Sequence, residues 1–207
     1  MLRAKTSRKT RTAAIGRPRA FDAEKALDRA LDVFWRKGYE GTAMSDLTRA
    51  MRINRPSIYA AFGNKEQLFR KVLDRYDDGP ASYAQKALDA PTARGAVERL
   101  LRGAAGLEGN RKNPPGCLIV QGALACGDAA ELVRRELISR RAFGEAALRK
   151  RLQRAKSEGD LPNDSDPAIL ARYFVTVLHG MAVERASGAT PRSMRGVVEM
   201  ALRAWPK

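Results

Sequence analysis

Residues 41–62, GTAMSDLTRAMRINRPSIYAAF, constrain the fold more than any other stretch of the chain. Met44, Leu47 and Met51 recur at i, i+3 and i+7 and so line one face of a short helix. Asn54 stands where it can cap a second helix, and Pro56 falls in that helix's opening turn, where a missing N–H costs nothing. Ile58 and Phe62 then point inward at i, i+4, which leaves Arg55, Ser57, Tyr59 and Ala60 outside. Two short helices with a tight corner between them, the second carrying basic and hydroxylated outer positions, predict a helix-turn-helix. The second helix of such a unit can lie in the major groove of DNA.

The flanking sequence supplies the rest of a small domain. A first helix is expected from an Asp22 cap to Lys37, with Ala23, Leu27, Ala30, Leu31 and Phe34 inward and Gly38 as its stop. Thr42 is placed to cap the next helix or to meet a phosphate. Asn64 can cap a fourth helix from Lys65 to Tyr76, with Leu68, Val72 and Tyr76 on its inner face. Lys65 lies in that helix's first turn, where exposed N–H groups and an ammonium can meet a phosphate together. Residues 1–20 hold seven Lys or Arg and no acid. Residues 1–16 therefore read as a flexible basic arm, with Arg17 and Arg19 beside the first helix and able to follow the DNA backbone. Residues 17–77 form the DNA-binding domain and residues 78–207 a second, larger helical one.

In that second part the periodicity predicts Ser82–Leu88, a Thr92-capped helix with Val97, Leu100, Leu101 and Ala104 inward, and an apolar helix over Cys117–Ala125. A long helix from Asp128 to Lys156 follows, striped by Val133, Leu137, Gly144, Leu148, Leu152 and Ala155 and interrupted by Arg140 and Arg141. Asp166 and Pro167 open a helix that is apolar nearly all round. Thr190 and Pro191 open the last, with Met194, Val197, Ala201 and Trp205 inward. No strand pattern appears, so the fold is all-α. An all-round apolar helix needs cover on every side. The cover expected is the same helix of a second copy, in a two-fold interface with the long helix. Leu148, Leu152, Phe174, Leu178, His179 and Met181 are the candidate dimer-interface residues. A dimer also places two recognition helices ~34–36 Å apart, as a palindromic site requires.

Net charge is +16 with a pI near 10.5, which favours a polyanionic partner. The excess is divided equally: residues 1–78 carry 18 cations and 10 acids, residues 79–207 carry 21 and 13, a net of +8 in each. The helix-turn-helix accounts for the first share only. Two cysteines make no disulfide framework, and on one helix Cys117 and Cys126 would sit ~13 Å apart on opposite faces. A reducing, cytoplasmic setting is expected. No apolar run approaches a membrane span. One histidine, no phosphate loop and no metal-ligand spacing leave no catalytic constellation, no metal site and no cofactor to assign.

The segment TAMSDLTRAMRINRPSIYAAFGNKEQLF resembles the N-terminal domain of the tetracycline-repressor (TetR) family: a threonine-led second helix, a short recognition helix with an internal tyrosine, then a phenylalanine and a capped Lys-Glu-x-Leu helix. The resemblance implies a three-helix helix-turn-helix DNA-binding domain and a C-terminal helical domain for ligand binding and dimerisation. It implies a regulator, usually a repressor, that leaves a palindromic double-stranded operator when a small-molecule effector binds. An activator and a sequence-indifferent basic DNA binder are the alternatives. By position, Thr42 and Lys65 would bind phosphates, Tyr59 would pack on backbone or a thymine methyl, and Arg55 and Ser57 would meet base edges. Pro56 stands in place of a frequent glycine. A bidentate Arg–guanine pair is worth about 1–3 kcal/mol of discrimination. Tyr83, Leu101, Cys117, Leu118, Phe143 and Tyr173 are candidates for the effector pocket. Cys117, in the run PPGCLIVQGAL, is either a small buried hydrophobe or a thiol open to electrophiles and oxidants.

Overall fold

A computed structural model describes residues 21–107, 113–127 and 130–207, and these contain ten helices and no strand. They are α1 (Ala23–Lys37), α2 (Met44–Met51), α3 (Arg55–Phe62), α4 (Lys65–Asp78), α5 (Ser82–Leu88), α6 (Ala93–Ala104), α7 (Leu118–Ala125), α8 (Glu131–Ser157), α9 (Pro167–Ala186) and α10 (Pro191–Arg203). Local chemistry sets most of the boundaries. Asp22, Asn54, Asn64, Thr92, Asp166 and Thr190 each accept backbone N–H groups from the first turn that follows them. Arg17, Arg19 and the expected Asp128 cap lie outside the described residues; the described part of α8 begins at Glu131, whose carboxylate instead pairs with Arg134 and Arg135.

The helices close over two apolar cores. In the first, Phe34 and Trp35 of α1 meet Phe69 and Tyr76 of α4, with Leu47, Met51, Ile58 and Phe62 packed in from α2 and α3. Phe34 and Phe69 meet edge to face at 4.9 Å, and Trp35 and Tyr76 at 4.8 Å. This core extends past the fourth helix, since Leu118, Val133 and Leu137 also belong to it. The second gathers α5, α6, α9, α10 and the C-terminal half of α8, around Leu101, Leu148, Leu152, Phe174 and Met181. Thus α8 contributes to both cores. The two arginines that interrupt its stripe serve the junction. Arg140 reaches Asp74 at 2.6 Å and Asp77 at 2.5 Å on α4, and Glu136 at 2.8 Å on its own helix. Burial weakens that guanidinium's hold on its proton, but the three carboxylates outweigh the loss. Arg141 hydrogen-bonds His179 on α9 at 3.2 Å.

Packing corrects several inward assignments. On α8 Gly144 faces out, and on α10 Val198 rather than Val197 is buried. The proposed interface residues Leu148, Leu152, Phe174 and Met181 are buried within a single chain, because α5, α6 and α10 already cover that side of α8 and α9. The exposed apolar stripe of α9 is a different one: Ile169, Tyr173 and Val183, 68%, 39% and 38% exposed. His179 is half-buried beside Arg141. Burial first, and that guanidinium second, lower its pKa to about 4. The unfolded chain takes up this proton near pH 6.5 and the folded chain only near pH 4, so unfolding binds a proton between those values and stability falls as pH drops through them. The melting temperature is expected to fall more steeply over that window in the wild type than in His179→Gln, as followed by circular dichroism; parallel curves would show that His179 is not held neutral.

Candidate functional site

The exposed side chains of the helix-turn-helix are presented by α3. Asn54 accepts the Ser57 N–H at 2.9 Å and Pro56 occupies the first turn, while Ile58 and Phe62 anchor the inner face. Arg55, Pro56, Tyr59 and Ala60 face solvent and Ser57 is half-buried. Arg55 and Tyr59 form an i, i+4 pair. The guanidinium donates to the phenol oxygen through Nε at 3.0 Å and Nη2 at 2.8 Å. With both bonds accepted by its oxygen, the phenol still has its own O–H to donate outward, and the guanidinium keeps further N–H groups free. The pair is a preorganised set of donors on a convex helix surface. α2 is fixed behind it by the Arg29 bond to the Met51 carbonyl at 3.2 Å and the Lys37–Asp46 ion pair at 2.9 Å.

The predicted corner is closed by a residue that the sequence did not mark for the role. Arg52 adopts φ 60° and ψ 38°, the left-handed conformation, and its N–H closes on the Thr48 carbonyl. A side chain there costs of order 1 kcal/mol that glycine would not. The expectation for Thr42 is overturned. Ala43, not Thr42, stands at the N-cap of α2, and Asp46 accepts the Ala43 N–H. Thr42 is fully buried, and its hydroxyl donates to the Gly38 carbonyl at 2.6 Å, so the side chain closes the α1–α2 turn and has no surface to offer a phosphate. Lys65 is at the first position of α4 as expected, half-buried, with its ammonium 4.5 Å from the Tyr39 ring centre. Burial lowers its pKa, partly offset by Glu40.

A cavity of about 1120 Å³ lies between the end of α4, α5, α6, α9 and α10. Of the six candidate pocket residues it brings two to the wall, Tyr83 and Cys117. Leu101 and Leu118 are buried in the two cores, Phe143 is 74% exposed on α8, and Tyr173 points outward on α9, so these four do not line it. Leu178, expected at the dimer interface, lines the cavity instead. Gly103 lets the Tyr83 ring lie against α6, since a Cβ there would meet the ring at 2.3 Å. Burial pushes the Tyr83 phenol up, and burial together with the Cys117 thiol pushes up that of Tyr76. Cys117 and Cys126 flank α7 as free thiols. The sequence reading missed Trp35, Tyr76, Lys86, Arg185, Arg192 and Arg195, which also line the cavity, because they come from five separated segments.

Two family models match the chain: the bacterial regulatory protein tetR family over residues 26–72 and the tetracyclin repressor-like C-terminal domain over residues 94–205, more than half of the sequence. The chain belongs to the TetR family. Among TetR relatives, the HTH-type transcriptional repressor ComR of Escherichia coli is 32% identical over 93% of this chain and 92% of its own. A cysteine-substituted TetR-family regulator, CifR, solved with 26-bp double-strand operator DNA, is 44% identical with a TM-score of 0.87, covering 92% of this chain and all of that one. A TetR-type chain from Rhodococcus is 38% identical with a TM-score of 0.60, over 89% and 100%. Among the described residues no helix is long and apolar enough to cross a membrane.

The buried hydroxyl of Thr42 generates a direct test. Thr42→Val keeps the shape and strands the Gly38 carbonyl, so urea unfolding is expected to show a loss of about 1 kcal/mol. DNA affinity at fixed salt is expected to stay unchanged, and a loss of about 10-fold shared by operator and scrambled duplex would return Thr42 to a phosphate.

Proposed function

We propose that this TetR-family chain is a sequence-specific DNA-binding transcriptional repressor, active as a homodimer on a palindromic operator and released by a small-molecule effector. It works in the cytoplasm as a regulator and not as a catalyst. The observation that carries the reading is the Arg55–Tyr59 pair, exposed and mutually hydrogen-bonded on a capped second helix. Arg55 and Ser57 address base edges, Tyr59 the backbone or a thymine methyl, Pro56 sets the entry of the helix, and Lys65 meets a phosphate at the start of α4. Arg17 and Arg19 follow the DNA backbone from the arm. Residues 17–77 serve recognition and residues 78–207 serve effector binding and pairing. ComR is a transcriptional repressor and CifR is solved with operator DNA, which supports the same assignment.

Pairing would use the outer stripe of α9, Ile169, Tyr173 and Val183, with Phe143 of α8 beside it in the two-helix layer. A second copy related by a two-fold axis beside α8 and α9 would cover these groups and repeat the recognition helix. Release follows from the position of the cavity. Tyr76, Gly79 and Pro80 put the C-terminal end of α4 in its wall, while Lys65 and the contact with α3 are at the other end of the same helix. An effector that binds better when α4 is displaced would alter the spacing of the two recognition helices, and only such a difference in affinity shifts the equilibrium. The Arg140 clamp on Asp74 and Asp77 holds α4 against that displacement.

Selection of duplexes from a random pool by the purified protein is expected to return a palindrome. Arg55→Ala should then lose about 1–3 kcal/mol of sequence preference, while Lys65→Ala should weaken all duplexes alike and reduce the salt slope by about one. Unchanged operator affinity in both variants would refute the placement of α3. For pairing, sedimentation at micromolar concentration should show dimers for the wild type and monomers for the double variant Ile169→Arg/Tyr173→Glu; dimers that survive this change would place the interface elsewhere.

A further inference from the structure

The cavity carries charge of one sign. Lys86, Arg185, Arg192 and Arg195 line it, and among the described residues no Asp or Glu does. At the junction and on the outer helices, arginines are matched with acids, as at Arg75, Arg140 and Arg172. Among the described residues Lys86, Arg192 and Arg195 make no ion pair, and Arg185 donates only to the Ala189 carbonyl. Two of these cations also oppose their own helix. Arg192 and Arg195 stand near the start of α10, whose first turn contains no acid and whose dipole there disfavours positive charge. A further unanswered donor sits in the same wall: the Trp35 indole N–H is buried without an acceptor among the described residues. Folding thus puts four cations on the wall of one concave site; Lys86, Arg192 and Arg195 stay exposed there, so an anion entering the cavity meets their N–H donors. Beneath them the cavity is apolar and aromatic, with Trp35, Tyr76, Tyr83, Leu107 and Leu178 in its wall.

From this we propose that the effector is an amphipathic organic anion, a carboxylate with an alkyl or aryl body. Its head meets Arg192 and Arg195, with Lys86 and Arg185 adding to the field, and its body lies against Trp35, Tyr83 and Leu178. The proposal rests on the reading of the cavity as the effector site, and it accounts for part of the basic excess in the C-terminal domain. Charge-assisted bonds from paired guanidinium groups to a carboxylate supply the selectivity.

The test uses the full-length protein without DNA and matched probes: hexanoate, octanoate, decanoate and 4-phenylbutyrate, each against its primary amide and the amine of the same skeleton. Binding is read by titration calorimetry and by tryptophan fluorescence, with Trp205→Phe leaving Trp35 as the sole emitter. At least one acid is expected to bind ~10-fold or more tightly than its amide and its amine, with a preference that shrinks as salt is raised. Arg192→Gln/Arg195→Gln should bring that acid down to the affinity of its amide while leaving the amide unchanged. The double variant should keep its helical content and melt no lower than wild type. Equal binding of acid and amide, tighter binding of the amine, no acid bound below about 10 mM, a preference that survives in the double variant, or a double variant that melts lower would each overturn the proposal. Operator release is scored separately. An acid that binds with the expected preference yet leaves the operator occupied would overturn the release switch and leave the charge selectivity standing.

Discussion

The aromatic seam between α1 and α4 joins the two working surfaces of this molecule. At its midpoint Phe34 and Phe69 meet edge to face, both fully buried. Toward one end Tyr39 packs on Phe69 and receives the ammonium of Lys65. Toward the other, Trp35 packs on Tyr76, and both rings continue into the cavity wall. Rings of this size each contribute roughly 1.5–3 kcal/mol through burial, and they interdigitate too closely to slide independently. In the proposed switch, a movement imposed at Tyr76 would be carried along α4 as a rigid body toward the DNA-facing surface.

The same seam explains why the recognition helix can be so short. α3 has eight residues, too few to be stable alone, and it persists because Ile58 and Phe62 insert into a core already built by α1 and α4. Its outer face is thereby released from any structural duty. Arg55 and Tyr59 can pair with each other across one turn and point away from the protein. Thr42 shows the opposite outcome. Its hydroxyl is spent on the Gly38 carbonyl, and the side chain stabilises the corner from within.

Charge follows a comparable division between the two halves. In the junction, cations are matched: Arg140 by three carboxylates of α4 and α8, and Arg75 by Asp28 and Glu24 of α1. Around the cavity they are not. Unmatched charge on a convex face costs little because water screens it. On the cavity wall Lys86, Arg192 and Arg195 are exposed too, but they share one concave surface, and the field they make there is what the proposed anion would meet.

Much of the helical framework was legible in the residues alone, because its signals are local. Asp22, Asn54, Asn64, Thr92, Asp166 and Thr190 cap the helices they precede, and periodicities of three and four mark the inner faces of α1, α2, α3 and α4. The exposed position of Arg55, Pro56 and Tyr59 follows from the same periodicity. What a local pattern cannot say is which neighbour an apolar face will meet. Leu148, Leu152, Phe174 and Met181 read as surfaces in search of a partner, yet α5, α6 and α10 of the same chain cover them. Phe143 and Tyr173 read as pocket residues and stand outside. The cavity and the cations on its wall arise only when six stretches of the chain converge. Sequence by itself determined most of the helix starts and the outward turn of Arg55, Pro56 and Tyr59 on α3, because those depend on contacts within a few residues. Tertiary structure alone decided which faces are covered, where the cavity opens and which charges it collects, because those depend on contacts between residues tens of positions apart.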